Sequence, residues 1–461
     1  MEPCLKSRKS HVFETALVIL GILCLINVVA TENCRKHSAV LTDFGGVGDG
    51  KTLNTKAFKD AIDHLSKLSS DGGAKLVVPP GKWLTGSFNL TSRFTLFLDK
   101  EATILATENE SEWPQTALLP SYGKGTDKCA PDARYISFIF GTNLTDVVIT
   151  GNNGSIDGQG RHWWNNFRER NLKATRPNLI EIMYSDRIQI SNISLYNSPA
   201  WNVHPIYSSN VVIEKVTISA PIDARNSDGI IPDSCTNVRI KDCIITAGRD
   251  CISIKSGWNQ YGIKFGMPTK NVVIEKLTCM AQAGSAISLG SEMSGGIENV
   301  RVNDIATVNT FTGFKVHTVP GRGGYIRNIF AKKMNFVFGF IRYAIWFSSL
   351  DGEHPDDGYN RRTLSDVENI SLSGIKALNV YTTANLGGLA GHSIKGICVS
   401  DAKFLALEEW TKRQQWFCSD LEGVTSSVNP KACDLLPEKP GFNCPYPLDR
   451  LPIENVPLKT C

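Results

Sequence analysis

The sequence predicts an all-β chain, a single-stranded parallel β-helix (solenoid) with an N-terminal capping helix and a cysteine-rich C-terminal tail. Three observations predict it. First, a short strand-like phrase keeps returning: DRIQISNISL at 186–195, NVVIEKVTIS at 210–219, NVRIKDCIIT at 237–246, NVVIEKLTCM at 271–280 and NVRVNDIATV at 299–308, with a weaker YIRNIFAKKM from Tyr325. The starts fall 24, 27, 34, 28 and 26 residues apart, and self-similarity at such a period marks a repeat architecture. Second, each phrase alternates apolar and polar residues, with few hairpin signals and no helix pattern between phrases. Strands of this kind stack coil on coil instead of pairing within hairpins. Third, 461 residues with 42% apolar and 20% charged composition exceed one ordinary compact core but suit one elongated core shared by many coils.

The elements follow in order. Lys6, Arg8 and Lys9 precede an apolar run from Ala16 to Ala30. That run is short for a bilayer span and the right length for a secretory leader. Residues 1–30 are read as a signal peptide, with a membrane anchor over residues 12–30 as the alternative. Residues 31–404 are the β-helix and 405–461 a cysteine-rich cap. Phe58, Ala61, Ile62, Leu65 and Leu68 share one helical face, Asn54 or Thr55 can cap that helix, and Ser69-Ser70-Asp71-Gly72-Gly73 ends it. A solenoid whose ends are uncovered exposes edge strands, so the helix is expected to close the first coil and the tail the last.

Of thirteen cysteines, Cys4 and Cys24 lie in the leader, which leaves eleven. Cys398, Cys418, Cys433, Cys444 and Cys461 crowd the tail and read as disulfide staples in a secreted chain. The odd count leaves at least one thiol free or paired with another chain. Sequons at Asn89, Asn109, Asn143, Asn153, Asn192 and Asn369 permit glycosylation. A net charge of +4 without a basic run argues against nucleic acid as a partner. No close C-x-x-C pair suggests zinc, and no motif suggests a nucleotide, flavin or haem. The expectation is a secreted monomer with no cofactor and no metal.

DFGGVGDGKTLNTKAFKDAI at 43–62 and VVPPGKWLTGSFNL at 77–90 resemble the opening of pectate-lyase-like β-helix proteins. GSIDGQGRHWW at 154–164 and RNSDGIIPDSCTNVRIKDCIITAGRDCISIKSG at 225–257 resemble the polygalacturonases, glycoside hydrolase family 28. GSEMSGG at 290–296 and GRGGYIRNI at 321–329 match its plant-type members. The resemblance implies a right-handed coil and hydrolysis of α-1,4-galacturonan, the acidic chain of pectin, in the cell wall.

Inverting hydrolysis needs one carboxyl to protonate the leaving oxygen and another to take a proton from water, roughly 6.5–9.5 Å apart. Asp228 and Asp250 are 22 residues apart, about one coil. The family's Asn-Thr-Asp reads Asn226-Ser227-Asp228 here, which implies a water-activating role for Asp228 and a substrate contact for Asn226. The family's Asp-Asp pair reads Arg249-Asp250, so Asp250 matches the second carboxylate and Arg249 stands where the proton donor is expected. The Gly-His-Gly position falls on Gly284-Ser285-Ala286, with Ser285 in place of His. The Arg-Ile-Lys position reads Lys315-Val316-His317, which implies substrate contacts from Lys315 and His317. Arg249 stays protonated and makes a poor general acid. It is also expected to lower the pKa of both neighbouring carboxyls.

A carboxyl from elsewhere (Asp223, Asp233 or Glu292) is the way hydrolysis would survive. Otherwise the chain is a catalytically impaired protein that grips pectin without cutting it. β-Elimination is set aside because the calcium-binding carboxylates it needs are not evident. Trp163 and Trp164 fit buried core better than sugar stacking. Cys251 and Cys279, one coil apart, resemble a bridging pair beside the family's site, with two stacked buried thiols as the alternative.

Overall fold

The computed structural model describes residues 34–127, 130–406 and 414–461. The leader or anchor segment lies outside them. The chain winds as the right-handed parallel β-helix that the repeats predict, with 19 strands among the described residues joined in one continuous sheet. Its central strands are β1 (Asp186–Tyr196), β2 (Ser209–Ser219), β3 (Thr236–Thr246), β4 (Ile252–Ile254), β5 (Thr269–Met280), β6 (Ser285–Leu289), β7 (Ile297–His317), β8 (Tyr325–Ser348) and β9 (Asp366–Gly387).

The repeats are in register, so equivalent residues lie above one another. Ile190, Ile213, Ile240, Ile274, Val302, Ala331 and Leu372 form one inward column, and all are buried. Because side chains alternate between faces, a slip of one residue would put the whole column into water. Where an Asn opens the phrase it turns a corner in the left-handed region: φ is 54° at Asn210, 60° at Asn237, 58° at Asn271 and 54° at Asn299. Asn tolerates that backbone better than other side-chain-bearing residues. Its amide also bonds the next coil. Asn237 Nδ2 donates to Asn210 Oδ1 at 3.1 Å, Asn271 to Asn237 at 3.1 Å and Asn299 to Asn271 at 2.7 Å. Asn237→Ala is therefore expected to cost about 2 kcal/mol, the sum of a strained φ and lost hydrogen bonds, and Asn237→Gly to recover about half. Urea denaturation measures both. Equal loss in the two variants would refute the backbone part.

Helix α1 (Thr55–Leu68) buries Ala57, Phe58, Ala61, Ile62 and Leu65 over the first coils, and Phe58 stacks on Phe88 at 4.5 Å. Asn54 holds the cap position without a side-chain cap bond. Its amide instead ties Val47 and Leu84 together. Trp163 and Trp164, on helix α2 (Arg161–Glu169), are buried and so serve the core.

The tail does more than lie at the far end. After strand Leu421–Asn429 closes the last coil, the chain turns back and runs against the coil order along the outside. Cys444 is bonded to Cys398. Pro445 O accepts from Ser371, Asp449 O from Arg301, and Ile453 O and Val456 O from Arg239 at 2.7 Å. Lys459 N donates to Gln189. Cys461 ends the run bonded to Cys34, beside the first coil. Cys418–Cys433 and Cys251–Cys279 complete the disulfides among the described residues. Cys235 and Cys243 are buried free thiols, and Cys129 lies outside the described residues.

Candidate active site

A cleft of about 270 Å³ opens over the central coils. Asn226, Arg249, Glu292, His317 and Asp351 line it, with Trp201 and Trp258 as its aromatic residues. Stacking brings the residues together. The backbone N of Asp250 lies 3.3 Å from Asp228 Oδ1. The backbone N of Ser285, one coil further, donates to Asp250 Oδ1 at 2.7 Å. Two glycines allow this approach: a Cβ on Gly284 would sit 2.1 Å from the Arg249 carbonyl, and one on Gly248 1.9 Å from Ala224 O.

Asp228 is fully buried, Asp250 nearly so, and neither forms part of the cleft wall. Asp228 Oδ2 has no hydrogen-bond partner among the described residues. Burial, with Asp250 beside it, pushes the Asp228 carboxyl up to about 6 against the pull of Arg249. At Asp250 burial also opposes ionisation, but Arg249, Lys315, His317 and the Ser285 amide outweigh it and hold the carboxyl below its ordinary value. Arg249 pulls both carboxyls down as expected, but only at Asp250 does that pull win; at Asp228 desolvation dominates.

Arg249 is half-buried. Burial works against its charge, but Asp228 and Asp250, then Glu292 and Asp351, more than compensate and raise its pKa. Its guanidinium makes no hydrogen bond or close ion pair among the described residues, unlike Arg176 in the same cleft, which grips Asp127 at 2.9 Å.

The other expected residues are placed unevenly. Ser285 contributes its backbone amide and stays buried. Lys315 Nζ bonds Asp351 at 2.7 Å, and His317 Nδ1 lies 3.2 Å from the same oxygen. Burial and Lys315 depress the His317 pKa even though Asp351 supports its charge. Of the substitute acids, Asp223 is exposed near Arg168. Asp233 is sealed in the core, where it accepts from Tyr122 and faces His204. Glu292 does reach the cleft, but Lys255, Arg322 and Arg249 overcome its burial and hold it ionised. None of the three offers a proton to the cleft.

Sequence reasoning missed Asp351, Trp201, Trp258 and the Arg176–Asp127 pair. Trp201 lies in SPAWNVHP, in the turn after β1 ends at Tyr196, and Asp351 lies in the turn after β8 ends at Ser348. A chemistry-bearing residue just past a strand end was the available signal.

The family model for glycosyl hydrolases family 28 matches residues 73–385. The chain belongs to that family. This family-28 chain is 48% identical over 470 residues to a probable polygalacturonase of Vitis vinifera, covering 98% of its own length and 94% of the relative's. It is 31% identical to an endo-polygalacturonase of Pectobacterium carotovorum over 54% of its length and 60% of the relative's. Its fold is similar to the exopolygalacturonase of Thermotoga maritima, with a TM-score of 0.67 at 24% identity over 88% of this chain and 89% of the other. It is also similar to the family 28 exopolygalacturonase of Yersinia enterocolitica, with a TM-score of 0.65 at 17% identity over 89% and 76%. At those identities the two structures speak to fold alone.

No group of residues fit to hold a metal ion occurs among the described residues. No helix among them is long and apolar enough to cross a membrane.

Proposed function

We propose that this protein is a polygalacturonase-type glycosidase that binds α-1,4-galacturonan in the Arg249 cleft and hydrolyses it slowly, with inversion. The observation that carries the reading is Arg249 itself, a guanidinium without a bonded partner among the described residues, in the cleft of a family-28 chain, beside a carboxyl pair. A uronate carboxylate would supply the missing partner through charge-assisted hydrogen bonds. The name of the Vitis relative supports the same substrate class. In this reading Asp250, kept ionised, takes the proton of the attacking water. Asp228, protonated below about pH 6, spares the pair the repulsion of two like charges. Asn226 and His317 line the sugar's path, and Lys315 acts through Asp351. The leaving oxygen has no carboxyl donor, so turnover is expected about 10²–10⁴-fold below that of a site with one. The leader-like apolar run of the first thirty residues, the four disulfides among the described residues and the substrate class support a place outside the cell, in the wall.

A second reading, a protein that grips pectin without cutting it, is favoured by the withdrawal of Asp228 and Asp250 from the cleft wall. One sample separates the two: reducing-end release from polygalacturonic acid, with affinity for oligogalacturonate measured alongside. Slow release that Asp250→Asn abolishes is the expected result. Binding without release selects the second reading, and absence of both removes pectin as the substrate.

A further inference from the structure

The sheet face that carries Lys315 continues beyond the cleft. Lys315 on β7 lies opposite Trp346 on β8, and Thr312 opposite Tyr343. Tyr343 and Trp346 meet at 5.1 Å between ring centroids, and Phe311 approaches them at 5.8 and 6.4 Å. All three rings are half-buried, so each keeps some surface in water. Lys315 Nζ stands 4.4 Å over the Trp346 ring while bonding Asp351 of the cleft, so one side chain joins the two regions.

Arg342 is the telling group. Its guanidinium lies 4.7 Å from the Tyr381 ring, 5.6 Å from Tyr343 and 5.8 Å from Phe311. It has no hydrogen bond or ion pair among the described residues. Elsewhere in this chain embedded arginines spend their donors: Arg35 on Asp146, Arg134 on Glu181, Arg176 on Asp127, and Arg322 on Ser291, Asn259 and the Glu353 carbonyl. A cation fixed among aromatic faces, with its donors unspent, is complementary to an anion attached to an apolar ring face.

We infer that this platform is a second galacturonan-binding region, continuous with the cleft, in which Arg342 takes the carboxylate of a uronate further along the chain and the Tyr343 and Trp346 rings carry its sugar faces. The inference rests on the proposed substrate class. It adds that the protein prefers long, unesterified stretches of the polymer. Tyr343 stands two coils beyond Ser285, about 10 Å at the spacing of stacked strands, so only a chain longer than the cleft can reach it.

The test is calorimetric titration of the full secreted chain with trigalacturonate, hexagalacturonate and fully methyl-esterified hexagalacturonate. Wild type should bind the hexamer roughly tenfold or more tighter than the trimer, the scale of one charge-assisted contact, and lose that advantage on esterification. Arg342→Gln should bind trimer and hexamer alike, with trimer affinity unchanged. Arg342→Lys, which keeps the charge, should restore part of the difference and also guards against a folding defect in the glutamine variant. A hexamer advantage that survives Arg342→Gln, or wild-type binding that ignores length, would overturn the platform and leave the cleft reading standing. No binding of any oligomer by wild type would overturn both.

Discussion

Arg249→Asp is expected to raise reducing-end release from polygalacturonic acid by about 10²–10⁴-fold, the span that general acid catalysis contributes. The substitution puts a carboxyl where the cleft now has a guanidinium, next to Asp228 and Asp250. Its neighbours would be Asp228, already lifted by burial, and Asp250, which loses the pull of Arg249 but keeps that of Lys315, His317 and the Ser285 amide. Both desolvation and like charge would raise the pKa of the newcomer, which is what a proton donor needs in mildly acidic solution. The change should also weaken substrate binding, since it removes a cation with no partner in the protein among the described residues. Turnover and affinity are therefore expected to move in opposite directions, and a full kinetic analysis separates kcat from KM. Asp250→Asn in the same background should return the variant to baseline, because a donor without a base gains nothing. A folded Arg249→Asp protein that still binds oligogalacturonate but releases no more ends than wild type would sink the account. The missing element would then lie in the withdrawal of the pair from the cleft wall.

Much of the architecture was legible because a coil repeats its own physics. The Asn that opens most of the phrases marks a left-handed corner, and the alternating apolar residues mark an inward column, so both the period and the facing of Ile213 or Ile274 could be read directly. The course of the tail could not. Cysteine spacing does not name partners, and nothing local to Cys461 says that it returns to Cys34 at the opposite end. At the site, Asp228 and Asp250 were legible as a pair because one-coil spacing converts sequence distance into contact, and Arg249 and His317 through the motif positions that the family resemblance implies. Asp351 was not, because it lies past the end of β8 and meets Lys315 and His317 only through space. The Asp228 carboxyl was misjudged for a related reason. A neighbouring Arg is visible in sequence, whereas the burial that overrules it depends on every coil packed around it.

That burial yields the second large effect, a stability difference whose size depends on pH. The Asp228 carboxyl is raised in the folded state, from 3.8 to about 6, so between those values the native protein binds a proton that the unfolded chain has released. Stability then falls as pH rises through that window. The contribution is fully present below about pH 4 and lost above about pH 6. Asp250 pulls the other way: its carboxyl is lowered, so its contribution is present at neutral pH and lost in acid. Asp228→Asn keeps the shape and removes the titration. At pH 7–8 it should stabilise the protein by about 1–3 kcal/mol, the free energy equivalent of a shift of this order, and at pH 4 by close to nothing. Thermal or urea unfolding of both proteins across pH 4–8 measures it. A difference that does not change with pH, or a wild type that is the more stable at pH 8, would mean that Asp228 ionises freely beside Arg249. The same variant should be about as active as wild type below about pH 6, because an amide, like the protonated carboxyl, leaves Asp250 as the pair's single charge. A buried carboxyl kept beside Asp250 at a cost in stability behaves as part of a catalytic pair whose acid has been replaced by a carboxylate-binding cation.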